Sequence, residues 1–365
     1  MKFKALIFFI FSTQILIGQV NIYYGDFCNI VLYRSVDPRA EAMGKILSVS
    51  DQKYFTLLSN PALDNSNKEV STYFSYSNPF YTYNKAEINS FGITYNKGSI
   101  GSVGFSMEIF ELGFNMGDLN YPEDKLYSLS YANSISNIFN FGINANLITG
   151  DNYRYGEEKK SATIVFFDIG LSKNIKLSES KTIKDEINIG LHITNIFGKK
   201  ANNNTYSPDY ILKIPFPSIL RIGLENRIFF FENGKKNYNF ITLKSAIEYE
   251  DLLNFNTFNT IKFGAELTTL DLLSVRIGYY YRFEHYKYSR NYGFGSYNFE
   301  YDCDGGSFTF GAGLNIDFRR FLNDVPLSLI IDFVNMKQPL PLDELGYVSI
   351  DNFHTVLARL RYHIN

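Results

Sequence analysis

From residue 70 onward the chain reads as a succession of short segments in which apolar and polar residues alternate. Residues 141–149 put Phe141, Ile143, Ala145 and Leu147 on one face, with Gly142, Asn144 and Asn146 on the other. Residues 241–250 set Ile241, Leu243, Ile247 and Tyr249 against Thr242, Lys244, Glu248 and Glu250. The clearest case is 273–284. There Leu273, Val275, Ile277, Tyr279, Tyr281 and Phe283 oppose Ser274, Arg276, Gly278, Arg282 and Glu284. A period of two is the signature of a strand with one apolar face. At about ten residues, such segments have the length of a tilted strand crossing a bilayer.

Fourteen segments are predicted: 70–77, 88–96, 100–110, 126–134, 138–149, 162–175, 185–196, 217–231, 238–250, 258–268, 272–284, 306–319, 326–334 and 353–364. Connections after even segments are short, and those after odd segments are mostly longer. Membrane barrels have short turns at one end and long loops at the other. The expectation is therefore an all-β fold, a membrane-spanning antiparallel β-barrel of about 14 strands. In lipid every backbone donor and acceptor must be paired within the protein, and a closed sheet achieves this.

The polar faces carry Arg221, Glu225, Lys244, Glu248, Lys262, Glu266, Arg276, Arg282, Asp317, Arg319, Arg359 and Arg361. A Lys or Arg at the lipid midplane costs about 2–4 kcal/mol, so these residues are expected to line the lumen. Both signs are interspersed, which favours ion-pair ladders and anchoring of a plug over a single-sign selectivity ring.

Composition agrees with this picture. The 365 residues include 28 Tyr, 34 Phe and 26 Gly with no Trp, which suits strands and turns over helices. Lys+Arg (35) and Asp+Glu (37) nearly balance, leaving no basic field for nucleic acid. Two cysteines exclude a disulfide scaffold and any thiolate metal cluster.

Residues 1–18 read as a secretory signal peptide: Lys2 and Lys4 precede the apolar run 5–17, which is too short to span a bilayer. Cleavage is expected after Gly18. Export without a helical span leaves a periplasmic protein, a secreted protein or an outer-membrane barrel, and the alternating segments favour the last, in the outer membrane of a Gram-negative bacterium.

Residues 19–69 lack clean alternation and are expected to form an N-terminal plug, or hatch, before the barrel at 70–365. Asp37-Pro38 is a helix start, since Asp caps and Pro fits the first turn. Gly44 would end that turn, and Ser59-Asn60-Pro61-Ala62 reads as another.

The hatch motif Arg39-Ala40-Glu41-Ala42-Met43-Gly44, followed by Asn60-Pro61-Ala62-Leu63, resembles the N-terminal signature of the PorV/PorQ family. Further along, Pro217–Leu224 (PSILRIGL), Phe263–Glu266 (FGAE), Val275–Tyr279 (VRIGY) and Phe310–Leu314 (FGAGL) resemble the family's strand motifs in the same order. The resemblance implies a FadL-like barrel of Bacteroidetes with an N-terminal hatch. It also implies a non-enzymatic role through protein–protein contacts in type IX secretion, or in cell-surface attachment of secreted cargo. The partner surface would then be an outer loop. The segment 285–305 stands out, with Tyr286, Tyr288, Tyr292, Phe294, Tyr297, Phe299 and Tyr301, because rigid aromatics supply efficient contact area. Alternatively, these residues extend the flanking strands as a girdle.

No enzyme chemistry is expected. His192, His285, His354 and His363 are scattered without metal-ligand spacing. Asp302-Cys303-Asp304-Gly305 lacks the distal acidic ligands of a calcium loop. No cofactor is implied. Cys28 and Cys303 could pair only if the N-terminal segment threads up the lumen. The competing reading is a FadL-like channel for hydrophobic small molecules, which requires an apolar patch inside the lumen. Ile164, Phe166, Ile330 and Val334 are candidates.

Overall fold

A computed structural model describes residues 37–49, 59–62, 68–80, 86–97, 101–111, 123–135, 138–152, 160–196, 218–231, 239–253, 258–292, 295–302, 305–322, 325–339 and 350–364. The signal peptide, residues 19–36 of the expected hatch, Leu63, Cys28, Cys303 and Phe294 lie outside them.

The described chain opens with a five-residue helix, α1 (Pro38–Ala42). Strands follow as β1 (Glu69–Phe80), β2 (Ala86–Asn96), β3 (Ser102–Glu111), β4 (Glu123–Ile135) and β5 (Phe139–Asn152). Then come β6 (Lys160–Glu179), β7 (Ile183–Ile196), β8 (Ile219–Phe231), β9 (Asn239–Leu252) and β10 (Phe258–Thr269). The last are β11 (Leu273–Tyr292), β12 (Gly295–Asp302), β13 (Gly305–Asp317), β14 (Leu327–Pro339) and β15 (Ile350–His363).

Each strand pairs antiparallel with the next, except that β12 pairs with the far half of β11 alone while β13 pairs with its near half. Strand β1 closes the ring against β15, from Glu69↔His363 to Asn78↔His354. The result is the expected closed barrel of 14 strands. Each predicted segment falls on one barrel strand.

Register fixes which face is which. Along β3 buried and outward positions alternate, with Val103 and Phe105 exposed and Ser106, Glu108 and Phe110 buried. Around the barrel the outward set includes Phe74, Phe91, Leu129, Ile143, Ile222, Phe263, Val275 and Phe333, all exposed. In a water-soluble protein this face would be polar, so its natural solvent is lipid.

Within 285–305, read either as an outer loop or as an extension of the flanking strands, the backbone forms a hairpin: Tyr286 pairs with Tyr301, Tyr288 with Phe299, and Tyr292 with Gly295, while Arg290 pairs with Tyr297. Strand β11 therefore runs 20 residues, and half of it continues past its partner β13.

Candidate functional site

Inside the barrel, residues 37–49 and 59–62 lie against the inward faces of the strands, and nearly all their side chains are buried. The Asp37 carboxylate accepts the Arg39 amide at 3.0 Å and caps α1, with Pro38 in the first turn. The chain then reverses through Gly44 at φ 74° and Lys45 at φ 65°. At Gly44 a Cβ would stand 2.5 Å from the Phe263 carbonyl oxygen, so the position demands glycine for both conformation and space.

A belt of inward-facing glycines makes this approach possible. Gly142 and Gly170 are cross-strand neighbours on β5 and β6, as are Gly190 and Gly223 on β7 and β8, and Gly264 and Gly278 on β10 and β11. A Cβ on Gly142 would meet the Pro61 carbonyl carbon at 2.4 Å, and one on Gly190 the Ser48 oxygen at 2.0 Å. On Gly278 it would meet the Gly44 nitrogen at 1.9 Å, and on Gly311 the Ala42 Cβ at 2.4 Å. The N-terminal backbone thus rests directly on the barrel wall.

Polar side chains from the wall satisfy the backbone so brought in. One Glu248 oxygen accepts from the Leu47 amide (2.8 Å), the Ser48 amide (2.6 Å) and the Ser48 hydroxyl (2.6 Å). Thr309 accepts from the Gly44 amide at 3.1 Å and donates to the Ala42 carbonyl at 2.9 Å. Asn188 donates to the Val49 carbonyl, Ser172 to the Ala62 carbonyl, and Lys262 to the Lys45 carbonyl. In the other direction, Asn60 reaches out to the Leu171 and Leu191 carbonyls at 3.0 and 3.2 Å, while its oxygen accepts the Ala62 amide. Buried backbone groups need such partners.

The hatch-motif residues therefore occupy distinct places. Ala40, Glu41 and Met43 are buried; Arg39 forms a two-bonded ion pair with Glu266 (2.8 and 3.0 Å). Asn60 and Pro61 sit over Gly170 and Gly142.

The lumen charges form two nets. In the first, Glu266 receives Arg39, Lys244 and Arg276, and Arg276 also reaches Asp332 at 2.7 Å. In the second, Glu250 receives Arg221 at 2.6 Å and Lys262 at 2.7 Å, and Lys262 bridges on to Glu248 at 2.8 Å. Glu225 pairs with Arg227, and Arg361 with Glu69 at 3.3 Å. Arg359 is buried and faces inward, and Arg282 is half-buried at an inward position of β11. Arg319 departs from the expectation. It lies past the end of β13 in a 3-10 turn (Phe318–Arg320), with 47% of its side chain exposed, and clasps Asp317 at the strand end. Alternation assigned it to the lumen because a turn following a strand leaves no break in a charged run.

The opposite wall differs. On β5 and β6, Asp168 accepts from Asn144, Asn146 and the Asn195 amide. On β2 to β6 five consecutive strands each turn one apolar side chain inward: Ile88, Phe110, Leu126, Ile148 and Phe166. Phe166 and Val334 are buried, Ile330 is nearly so, and the Ile164 side chain lies outside the described residues. Within this apolar wall Glu108 is 1% exposed, and neither of its oxygens has a hydrogen-bond partner.

Sequence reasoning missed Glu108, Asp168, Arg227 and Asp332 as lumen residues, and missed the role of the glycines. The parity signal was present: each sits at an inward position of its alternating segment. What parity lacks is any sign of which inward residues meet the N-terminal segment, because that contact spans up to 267 positions.

Neither protein-family models nor curated proteins give a match to this chain. Among solved structures the barrel is similar to a Pseudomonas aeruginosa FadL homologue, at 10% identity and TM-score 0.44, covering 91% of this chain and 99% of that one. It is also similar to the CymD monoaromatic hydrocarbon channel, at 10% identity and TM-score 0.49, over 90% and 97%. A third is the Pseudomonas putida toluene transporter TodX, at 10% identity and TM-score 0.39, over 94% and 99%.

Proposed function

We propose that this protein is an outer-membrane channel for hydrophobic small molecules, with the seated N-terminal segment as its hatch. The observation that carries this reading is the inward apolar row Ile88, Phe110, Leu126, Ile148 and Phe166. A barrel that only conducted water would have no need of these five greasy side chains on five consecutive strands. Burying apolar surface of a solute against such a row stabilises it by about 25 cal/mol per Å². The charged nets on β8 to β11 then serve to hold the hatch rather than to select the solute. The test is uptake in the source bacterium, because intact outer membrane excludes hydrophobic solutes that cross simple vesicles unaided. Deleting the gene should slow entry of labelled ethylbenzene and palmitate, and restoring it should recover the rate. Equal entry of both with and without the gene would overturn the reading.

A second reading is protein contact in type IX secretion or surface attachment of cargo, as the PorV/PorQ resemblance implies. It is favoured by the β11–β12 hairpin, whose aromatic-rich strands continue beyond the pairing with β13. Affinity isolation of the tagged protein from its own membrane tests it, with recovery of secreted cargo or attachment proteins as the expected result. Intact secretion in the deletion strain would refute it.

A further inference from the structure

We infer that the lumen wall around Glu108 is a recognition site for a small amphiphile with a primary ammonium head and an apolar body. The inference rests on the channel reading, since the body would lie along the same apolar row.

Glu108 faces inward from β3. Its cross-strand neighbours are Ser90 on β2 and Leu126 on β4, and Phe110 lies two residues on. A carboxylate placed among such residues without a partner is a standing cost that a structural role does not explain. On β9 and β10 the acidic side chains are held by bases, as Glu248, Glu250 and Glu266 are, and Asp168 is held by three N–H donors. Near Glu108 the inward positions of β2 to β5 carry no Lys or Arg among the described residues.

Other orphaned polar atoms on this wall have the same character. One strand over and one row lower, the Ser128 hydroxyl has no partner; beyond it, the Asn146 and Asn144 side-chain oxygens have none. Both amide nitrogens are already committed to Asp168, so what remains is a set of acceptors. Four acceptor oxygens and one hydroxyl without a donor define the missing partner. An ammonium supplies three donors, no acceptor and the compensating charge. An anionic head would be repelled, and a head without donors would leave the wall as it is.

The experiment uses the purified full-length barrel in detergent and calorimetric titration with three size-matched probes: phenethylamine, phenylpropionate and ethylbenzene. Phenethylamine should bind at least tenfold tighter than either of the others. Glu108→Gln should abolish that preference, bringing phenethylamine binding down to within about twofold of ethylbenzene binding to the same variant. The variant should also melt at the same temperature as the parent or higher, because it removes a buried carboxyl that has no partner; this separates lost recognition from misfolding. Ser128→Ala should weaken phenethylamine alone, and by a smaller factor. Ethylbenzene binding with no amine preference would overturn this inference and leave the channel reading standing. Absence of binding by all three probes would overturn it as well, with the uptake measurement deciding the channel reading separately.

Discussion

Replacing Glu248 with leucine should free the hatch without unfolding the barrel. In the native protein one Glu248 oxygen takes both the Leu47 and Ser48 amides and the Ser48 hydroxyl, while the other takes Lys262. Leucine leaves two buried amides without acceptors, at about 1–3 kcal/mol each. Lys262 keeps Glu250 at 2.7 Å, so its charge stays paired and adds little. Taking the lower half of that range gives about 3 kcal/mol against the seated state. At about 1.4 kcal/mol per decade this is roughly a hundredfold increase in local opening. Hydrogen exchange of the folded protein reads it directly. Amides in 45–49 should lose about two decades of protection, while those of the β9–β10 ladder stay as they were. Glu248→Gln keeps one acceptor oxygen and should fall between. Protection of 45–49 within about threefold of the parent in the leucine variant would refute the reasoning; the segment would then be held by packing on the glycine belt alone.

Three further outcomes are expected. Gly278→Val puts a side chain where a Cβ already stands 1.9 Å from the Gly44 nitrogen, so the hatch should become protease-sensitive while the barrel keeps its heat-modifiable migration on gels; an unchanged digestion pattern would contradict the close-approach account. Arg39→Ala and Glu266→Ala should couple by about 0.5–3 kcal/mol in a double-mutant cycle of unfolding, with Glu266→Ala the costlier because it also takes one partner from Arg276 and one from Lys244; additive effects would remove Arg39 from the net. Leu129→Lys, at mid-strand on the exposed face, should lose about 2–4 kcal/mol for folding into lipid vesicles, and a negligible loss would mean that this face does not meet lipid.

Chain pattern alone settled the architecture. The period-two alternation is local, and in a closed sheet surrounded by lipid it is satisfied with the apolar face outward and the polar face inward. Strand count and placement followed from it, as did the inward facing of Arg221, Glu248, Lys262, Glu266 and Arg276. The capped turn at Asp37-Pro38 was legible for the same reason, since capping involves neighbours two residues apart. Arg319 was misplaced where the local pattern runs on past the end of its strand.

Only the tertiary structure decided what the inward residues do. Gly142, Gly264 and Gly278 occupy polar-face positions in the sequence, but their function is an absence of side chain opposite a segment more than 80 residues away. The pairing of Arg39 with Glu266, and of Glu248 with the backbone at Leu47 and Ser48, is equally remote. Glu108 makes the same point in reverse. Its place on the inward face is written in the alternation, whereas its lack of a partner emerges only once the barrel closes. Alternation records the solvent each face must meet; which buried group meets which is set by closure and register, and those depend on every strand at once.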